Sequence, residues 1–186
     1  MSCTLQEAAQ AAKSCESSSG LPAALTLAQW IIESGRGKHC PGNNCFGIKA
    51  SHEPEPSKKQ LLQTHEWFTE SEAQDFVRRG EGRTVELVIK DGAPLRKGSR
   101  LLYKAQDWFA RYDSLEAGFD AHGRLLTSGR QYAKAWQAFR GNGNTERFVR
   151  AMAPIYATSP DYTDHLLALM NSEEIKSALA TDLVGA

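Results

Sequence analysis

Apolar residues recur at spacings of three and four near both ends of the chain and alternate with polar ones in its middle, which predicts helices, then strands, then helices. Thr4 to Glu16 reads as a first helix, with Thr4 and Glu7 spaced as a capping box and "SSSG" as the break after it. Pro22 suits the first turn of a second helix, on which Leu25, Ala28 and Ile32 share one face and which Gly35 and Gly37 stop. Between Lys58 and Tyr112 the period changes: Val85, Leu87 and Ile89 alternate with Glu86, Val88 and Lys90, Val88 being the exception, and an Asp-Gly turn follows. "LLYKAQDWFARY" supplies a returning strand. The expectation is a small antiparallel lobe, approximately residues 58–112, with a long excursion between Glu72 and Ser99.

Helices resume at "DSLEAGFDAHGRLL", where Asp113 and Glu116 are spaced as a variant capping box and Leu115, Phe119, His122 and Leu126 form the inward stripe. His122 is expected to be a core histidine with its polar atoms satisfied. "QYAKAWQAF", "NTERFVRAM", "SPDYTDHLLALM" and "SEEIKSAL" complete the helical stretches, with Ser159 as cap and Pro160 at the first position of the third. No repeat or linker interrupts the pattern. The fold class is therefore α+β, mainly helical, in a single domain spanning residues 1–186.

Composition narrows the class of partner. The chain has 186 residues, 41% of them hydrophobic and 24% charged, as a folded globule requires. Lys and Arg total 22, as do Asp and Glu, so no net field draws the chain to nucleic acid or an anionic membrane. The longest apolar stretch, Leu21 to Ile32, is broken by Thr26 and Gln29 and is too short to span a bilayer, so no membrane insertion is expected. The first twenty residues lack the basic start and continuous apolar segment of a signal peptide.

All four cysteines fall in the first quarter of the chain. Cys3 and Cys15 would stand about 18 Å apart along one helix, beyond disulfide reach. Cys40 and Cys45 flank "PGNN" and form the candidate disulfide, a short loop that would gain about 2 kcal/mol from a bridge. A zinc site joining His39 to these cysteines and a pair of plain buried thiols are the alternatives.

Candidate chemistry concentrates in "QWIIESGRGKHCPGNNCFGIKA", Gln29 to Ala50. Glu33 comes near the C-terminal end of the second helix, where unpaired carbonyls and the helix dipole disfavour a charged carboxylate. A raised pKa is what a general acid needs. Gly35 and Gly37 clear side chains from just beyond it, and Asn43 and Asn44 offer amides suited to turning the loop or to holding sugar hydroxyls and N-acetyl groups. Taken alone, the same string also reads as a solvated helix-end glutamate, a glycine stop and an Asx-type turn.

"LTLAQWIIESGRGKHCPGNNCFGIKA" resembles the signature of the glucosaminidase domains of glycoside hydrolase family 73, peptidoglycan-cleaving enzymes that include bacterial autolysins and the flagellar rod hydrolase. In order along the chain, "QTHEW" resembles that family's Thr-x-Glu-aromatic strand, "WFARYDSLEAGFDAHGRLL" its Phe-Arg-x-Tyr-x-Ser segment and "IYATSPDYTDHLLALM" its Tyr-Ala-Thr-Asp-Pro-x-Tyr segment. The resemblance covers roughly Leu21 to Met170. It implies a lysozyme-like fold, a helical body with a small antiparallel β lobe and an interlobe glycan cleft. It implies hydrolysis of the β-1,4 bond between N-acetylglucosamine and N-acetylmuramic acid of bacterial peptidoglycan, an endo-β-N-acetylglucosaminidase activity with no cofactor and no metal.

Carried over by position, Glu33 falls on the family's catalytic acid. Glu66 falls on the β-lobe glutamate proposed in some members as base or nucleophile, and Asp120, the alternative second carboxylate, on an aspartate proposed in others, for which a structural role is expected here. Asn43, Asn44, Tyr156 and Tyr162 are the substrate-binding candidates, Tyr156 toward the N-acetyl group and Tyr162 packing the closing helix; Phe46 and Trp67 fall on the core or cleft wall. Arg36 stands where relatives carry an aromatic residue, the segment reads Thr-Ser-Pro instead of Thr-Asp-Pro, and the excursion, with Lys97 and Arg100 as a solvated face, is longer than the family's hairpin. Two rivals remain: a muramidase or lytic transglycosylase on the same scaffold, and a non-catalytic glycan-binding module. A wall hydrolase without a leader implies delivery to the periplasm or cell wall by a secretion system, holin or flagellar export. An injected antibacterial effector would further imply an immunity protein that blocks the cleft.

Overall fold

The computed structural model describes residues 3–50, 55–80, 82–157 and 159–181; Thr158 of the Thr-Ser-Pro segment lies outside them. In chain order the elements are α1 (Leu5–Ser19), α2 (Ala23–Ser34), β1 (Lys59–Phe68), α3 (Glu70–Arg78), β2 (Thr84–Leu87), β3 (Ile89–Lys90), β4 (Ala93–Pro94), β5 (Arg96–Lys97), β6 (Arg100–Ala110), α4 (Leu115–Ser128), α5 (Ala133–Asn142), α6 (Thr145–Tyr156), α7 (Tyr162–Met170) and α8 (Glu173–Ala180). The chain divides into two compact units, Met1–Phe46 with Tyr112–Ala186, and Gly47–Arg111. No helix among the described residues is long and apolar enough to cross a membrane.

The helical unit is built around α2. The sequence suggests one apolar face, but α2 is buried nearly all round, through Leu25, Thr26, Leu27, Ala28, Gln29, Trp30 and Ile31. Helices α1, α4, α7 and α8 surround it, so polar Thr26 and Gln29 are enclosed along with the aliphatic residues. Helix α1 starts at the Thr4–Glu7 capping box, with both reciprocal bonds present, and presents Ala8, Ala9, Ala11, Ala12 and Cys15 inward. Small side chains let it pack closely on its neighbours.

Two helix starts differ from the sequence reading. Ser114, not Asp113, caps α4, accepting from the Ala117 amide; a Ser at this position reaches the third amide directly. Helix α7 begins at Tyr162, after Ser159 and Pro160, and Asp161 makes no side-chain cap bond. The Ser159 carbonyl instead accepts from the Tyr162 amide, so the Ser-Pro pair forms a turn leading into the helix.

His122 is a core residue with no exposed surface, stacked on Phe46 at 4.0 Å and edge-on to Tyr156 at 6.1 Å. It is not satisfied: among the described residues neither ring nitrogen has a hydrogen-bond partner. Burial pushes its pKa down to about 3. The folded state therefore resists protonation that the unfolded chain accepts, and His122 contributes stability that is present above the unfolded value and lost as pH falls toward the folded one. Denaturant melts should lose about 1.4 kcal/mol per pH unit from this group below about pH 6.5, and His122→Leu should flatten the slope; equal slopes in both proteins would contradict this.

The second unit is a sheet in the order β1-β6-β2, with β5 also paired to β6 and β3–β4 as a separate hairpin. Strands β1 and β6 pair antiparallel from Lys59↔Ala110 to Phe68↔Leu101. Asp91 and Gly92 both take positive φ, the geometry of a tight Asp-Gly hairpin turn, between β3 and β4. The unit begins at Gly47, earlier than the sequence boundary, because Lys49 bridges to Phe109 and the Ile48 and Ala50 backbones bond to Ala110 and Trp108. The excursion holds a helix that the alternation did not predict. Thr69 and Glu72 form a full capping box for α3, whose Ala73 and Phe76 are buried; Ala73 packs with Leu101 and Tyr103, beside Phe68, Val85 and Leu87.

Candidate active site

Glu33 occupies the last turn of α2, with Gly35 closing the helix beyond it. Its side chain is open to solvent, yet enough protein surrounds the carboxyl to strip part of its hydration. That desolvation raises its pKa, and a hydrogen bond from Tyr162 works in the opposite direction without cancelling the rise. The group can be reached by a ligand, and its protonated form is favoured relative to that of a free glutamate.

Tyr162 and, through it, Gln29 hold the Glu33 carboxyl. Tyr162 opens α7 and its hydroxyl donates to Glu33 Oε1 at 2.9 Å. Gln29, one helical turn before Glu33, donates from Nε2 to the same hydroxyl oxygen at 3.2 Å. Because Gln29 occupies the acceptor side of that oxygen, the single phenolic proton is directed at the carboxyl. Burial and the neighbouring Glu33 push the Tyr162 pKa far above its usual value, so the phenol remains a donor. Tyr162 thus bonds to Glu33 as well as packing its helix, a role the sequence reading did not give it.

Rings continue the arrangement. Tyr156 stacks on Tyr162 with centroids 5.9 Å apart, His122 meets Tyr156 edge-on, and Phe46 stacks on His122. Burial, then the charge of Glu33, raises the pKa of Tyr156. The aromatic series runs from the loop after Cys45 to the carboxyl of Glu33. Gln29 was visible in the sequence only as a polar break in an apolar run; its spacing of four from Glu33 was the available signal.

The loop after α2 is held by its own side chains. Cys40 and Cys45 are joined by a disulfide and are both buried. Asn43 adopts a positive φ and donates from Nδ2 to the Tyr112 carbonyl at 2.9 Å, while the Tyr112 amide donates to Gly42 O. Gly118 of α4 allows this approach, since a Cβ there would lie 2.1 Å from the Asn43 carbonyl oxygen. The Asn43 amide nitrogen is therefore engaged in turning the loop, and Asn44 is buried at 3% exposure. For Asn43 the bond to Tyr112 is the loop-forming use of the two that the sequence allowed. Arg36 pairs with Glu174 of α8 on an exposed surface.

Glu66 lies on β1, in the other unit. The β1–β6 register puts Thr64, Glu66 and Asp107 on one face. Lys49 Nζ donates to Glu66 Oε1 at 2.9 Å and pairs with Asp107 Oδ2 at 2.9 Å, and Arg83 Nε holds Asp107 Oδ1 at 2.7 Å. Burial would push the Asp107 pKa up, but Lys49 and Arg83 outweigh it and the net shift is downward. Lys49 also sits 4.1 Å over the Phe109 ring. Lys49, Arg83 and Asp107 were not singled out from sequence, where nothing marks three residues so far apart as partners. Trp67 is half-buried, opposite Leu102. Asp120 of α4 accepts from Ser18 Oγ of α1 at 3.0 Å, a bond between two helices of the body.

A search of curated proteins finds no match. Among solved structures, the chain is similar to a peptidoglycan hydrolase mutant from Sphingomonas sp. A1, at 27% identity and a TM-score of 0.55, with 95% of this chain and 94% of that one covered. It shares a fold with the catalytic domain of the autolysin Auto from Listeria monocytogenes, at 17% identity, TM-score 0.63 and coverage of 96% and 89%. The same holds for a C-terminally truncated glycoside hydrolase domain of FlgJ from Salmonella typhimurium, at 22% identity, TM-score 0.52 and coverage of 91% and 93%. The lysozyme-like α+β class follows from these likenesses. The family described as mannosyl-glycoprotein endo-beta-N-acetylglucosaminidase matches residues 9–174. With nearly its whole length matched, the chain belongs to this glucosaminidase family and is a glycoside hydrolase.

Proposed function

We propose that the protein is a peptidoglycan hydrolase, an endo-β-N-acetylglucosaminidase that cleaves the β-1,4 bond between N-acetylglucosamine and N-acetylmuramic acid with Glu33 as general acid. The observation that carries this reading is the reachable Glu33 carboxyl, raised in pKa by desolvation and bonded to a phenol whose own pKa is pushed far above its usual value. Protonated Glu33 donates to the glycosidic oxygen, and the Tyr162 hydroxyl stabilises the carboxylate as it forms. Glu66, fixed by Lys49, is assigned to activate water as base, and Tyr156 to contact the N-acetyl group. The peptidoglycan hydrolase from Sphingomonas supports the substrate class.

Digestion of purified sacculi, with mass spectrometry of the released muropeptides, tests the bond choice. N-acetylglucosamine at the new reducing ends is expected. N-acetylmuramic acid ends would assign a muramidase instead, anhydro ends a lytic transglycosylase, and binding to sacculi without clearing a glycan-binding module.

Tyr162→Phe isolates the contribution of the phenol. The variant keeps the ring but removes a hydrogen bond to a charged group, worth about 1.5 to 3 kcal/mol, so turnover should fall by roughly 10- to 100-fold. Without that bond the carboxylate is less stable and the Glu33 pKa rises further. The alkaline limb of the pH–rate profile, where the acid form is lost, should move upward. A limb that stays put or moves down would separate Tyr162 from the acid.

The Cys40–Cys45 disulfide suits work in an oxidising compartment, and on that ground the reading extends to an injected antibacterial effector opposed by an immunity protein over the site. Expression in the bacterial cytoplasm should then be harmless and periplasmic targeting lethal. Equal tolerance of both would remove the effector role and leave the hydrolase.

A further inference from the structure

Cys3, far from the other cysteines of this loop in sequence, folds back onto them. Its amide donates to Gly37 O at 3.3 Å, and its carbonyl sits so near Gly37 that a Cβ there would lie 2.1 Å from it. The Cys3 sulfur is 3.7 Å from that of Cys40 and accepts a hydrogen bond from the indole N–H of buried Trp30 at 3.3 Å. The sulfurs of Cys3, Cys40 and Cys45 all lie within 4.8 Å of one another.

Two chemistries use three clustered sulfurs, and the shape of the cluster separates them. Thiol–disulfide exchange needs the attacking sulfur in line with the bond it breaks, which would put Cys3 roughly 6 Å from the Cys45 sulfur, given a bond of about 2 Å. The observed group is a compact triangle instead. A tetrahedral ion with metal–sulfur bonds of about 2.3 Å needs sulfurs about 3.8 Å apart, close to the Cys3–Cys40 separation.

We propose that the reduced protein binds one thiophilic divalent ion, of the zinc class, through Cys3, Cys40 and Cys45. Two equivalents of a small-molecule thiol reduce the Cys40–Cys45 bond and leave joined as their own disulfide, supplying two electrons and two protons; binding then displaces the thiol protons as three thiolates form, and solvent completes the shell. The Trp30 N–H donates to one ligand sulfur from outside, the kind of contact that orients and stabilises a metal thiolate. The third ligand is thus Cys3 and not His39. In a reducing compartment the ion would hold the loop after Glu33 that the disulfide holds in an oxidising one. The proposal does not depend on the hydrolase reading.

Cobalt(II) titration of the full chain, kept reduced by a phosphine under anaerobic conditions, tests it. One equivalent should bind with a thiolate-to-cobalt charge-transfer band in the near ultraviolet, and zinc should displace it. Zinc should raise the melting temperature of the reduced protein and not of the oxidised one. Cys3→Ser should weaken binding by at least about tenfold, as loss of a ligand must exceed loss of an outer contact, whereas Cys15→Ser should leave it unchanged. In the parent chain, zinc should shield Cys3, Cys40 and Cys45 from alkylation, a readout that needs no variant. Absence of the charge-transfer band, binding that survives loss of Cys3, or Cys3–Cys40 disulfides in peptide maps of the unreduced protein would overturn the proposal, the last in favour of exchange.

Discussion

Glu33→Gln is expected to slow clearing of sacculi by roughly 10²- to 10⁴-fold, about 3 to 5 kcal/mol of barrier, in a protein that folds as the parent does. Gln keeps the volume of Glu and an oxygen to accept from Tyr162, but has no proton to give. The leaving sugar oxygen is a poor alkoxide without protonation, so the loss should lie toward the upper end. Folding should be unaffected because Glu33 is exposed at a helix end. The sign of the remaining effect follows from its raised pKa. As pH climbs from the ordinary carboxylate value through the folded one, the unfolded chain ionises first and the folded state loses ground. A carboxamide does not ionise and removes that penalty, so the variant should melt at or slightly above the parent at neutral pH, within about 0.5 kcal/mol. Turbidity assays on sacculi with parallel thermal melts provide the check; clearing at the parental rate would refute the assignment of the acid.

Glu66→Gln should reduce turnover by a comparable factor, about 10²-fold or more, because a carboxamide cannot take a proton from water. Its stability should barely change: the Glu66–Lys49 pair is about one-third exposed on both sides, 32% and 36%, and pairs of that kind contribute little. Lys49 also keeps its bond to Asp107, so the face does not lose its cation. Asp120→Asn is the matched control. Asp120 accepts from Ser18 across the α1–α4 contact, so its replacement should lower stability by about 1 kcal/mol and leave intrinsic turnover near the parent's. Rates corrected for folded fraction separate the two. The reverse pattern would transfer the base role to Asp120, and loss only in Tyr156→Phe would point to assistance by the substrate's own N-acetyl oxygen.

The sequence alone determined the features that depend on neighbours a few residues away. The Thr4–Glu7 box, the glycine stop after Glu33 and the Asp91–Gly92 turn are short-range constraints, and each was legible from side-chain type and spacing. The capping box of α3 was equally local, with Thr69 and Glu72 three apart, but the alternation on either side drew the reading toward strands. Glu33 could be placed at a helix end, and the resemblance gave it a role. The direction of its pKa shift was read from the helix end, but the cause was not: desolvation raises it, and a bond from a tyrosine 129 residues away opposes the rise.

Packing also decided where each polar group found a partner. Gln29 bonds to Tyr162 across 133 residues, Lys49 bridges Glu66 and Asp107 from two strands, and the Asn43 amide goes to the Tyr112 carbonyl. His122 was placed in the core by periodicity, yet only the fold left both its nitrogens without partners among the described residues. Cys3 shows the limit most directly, since its distance along the chain from Cys40 hid a sulfur separation of 3.7 Å. Periodicity reports which face of an element turns inward; which distant side chain meets it there is set by how the elements pack.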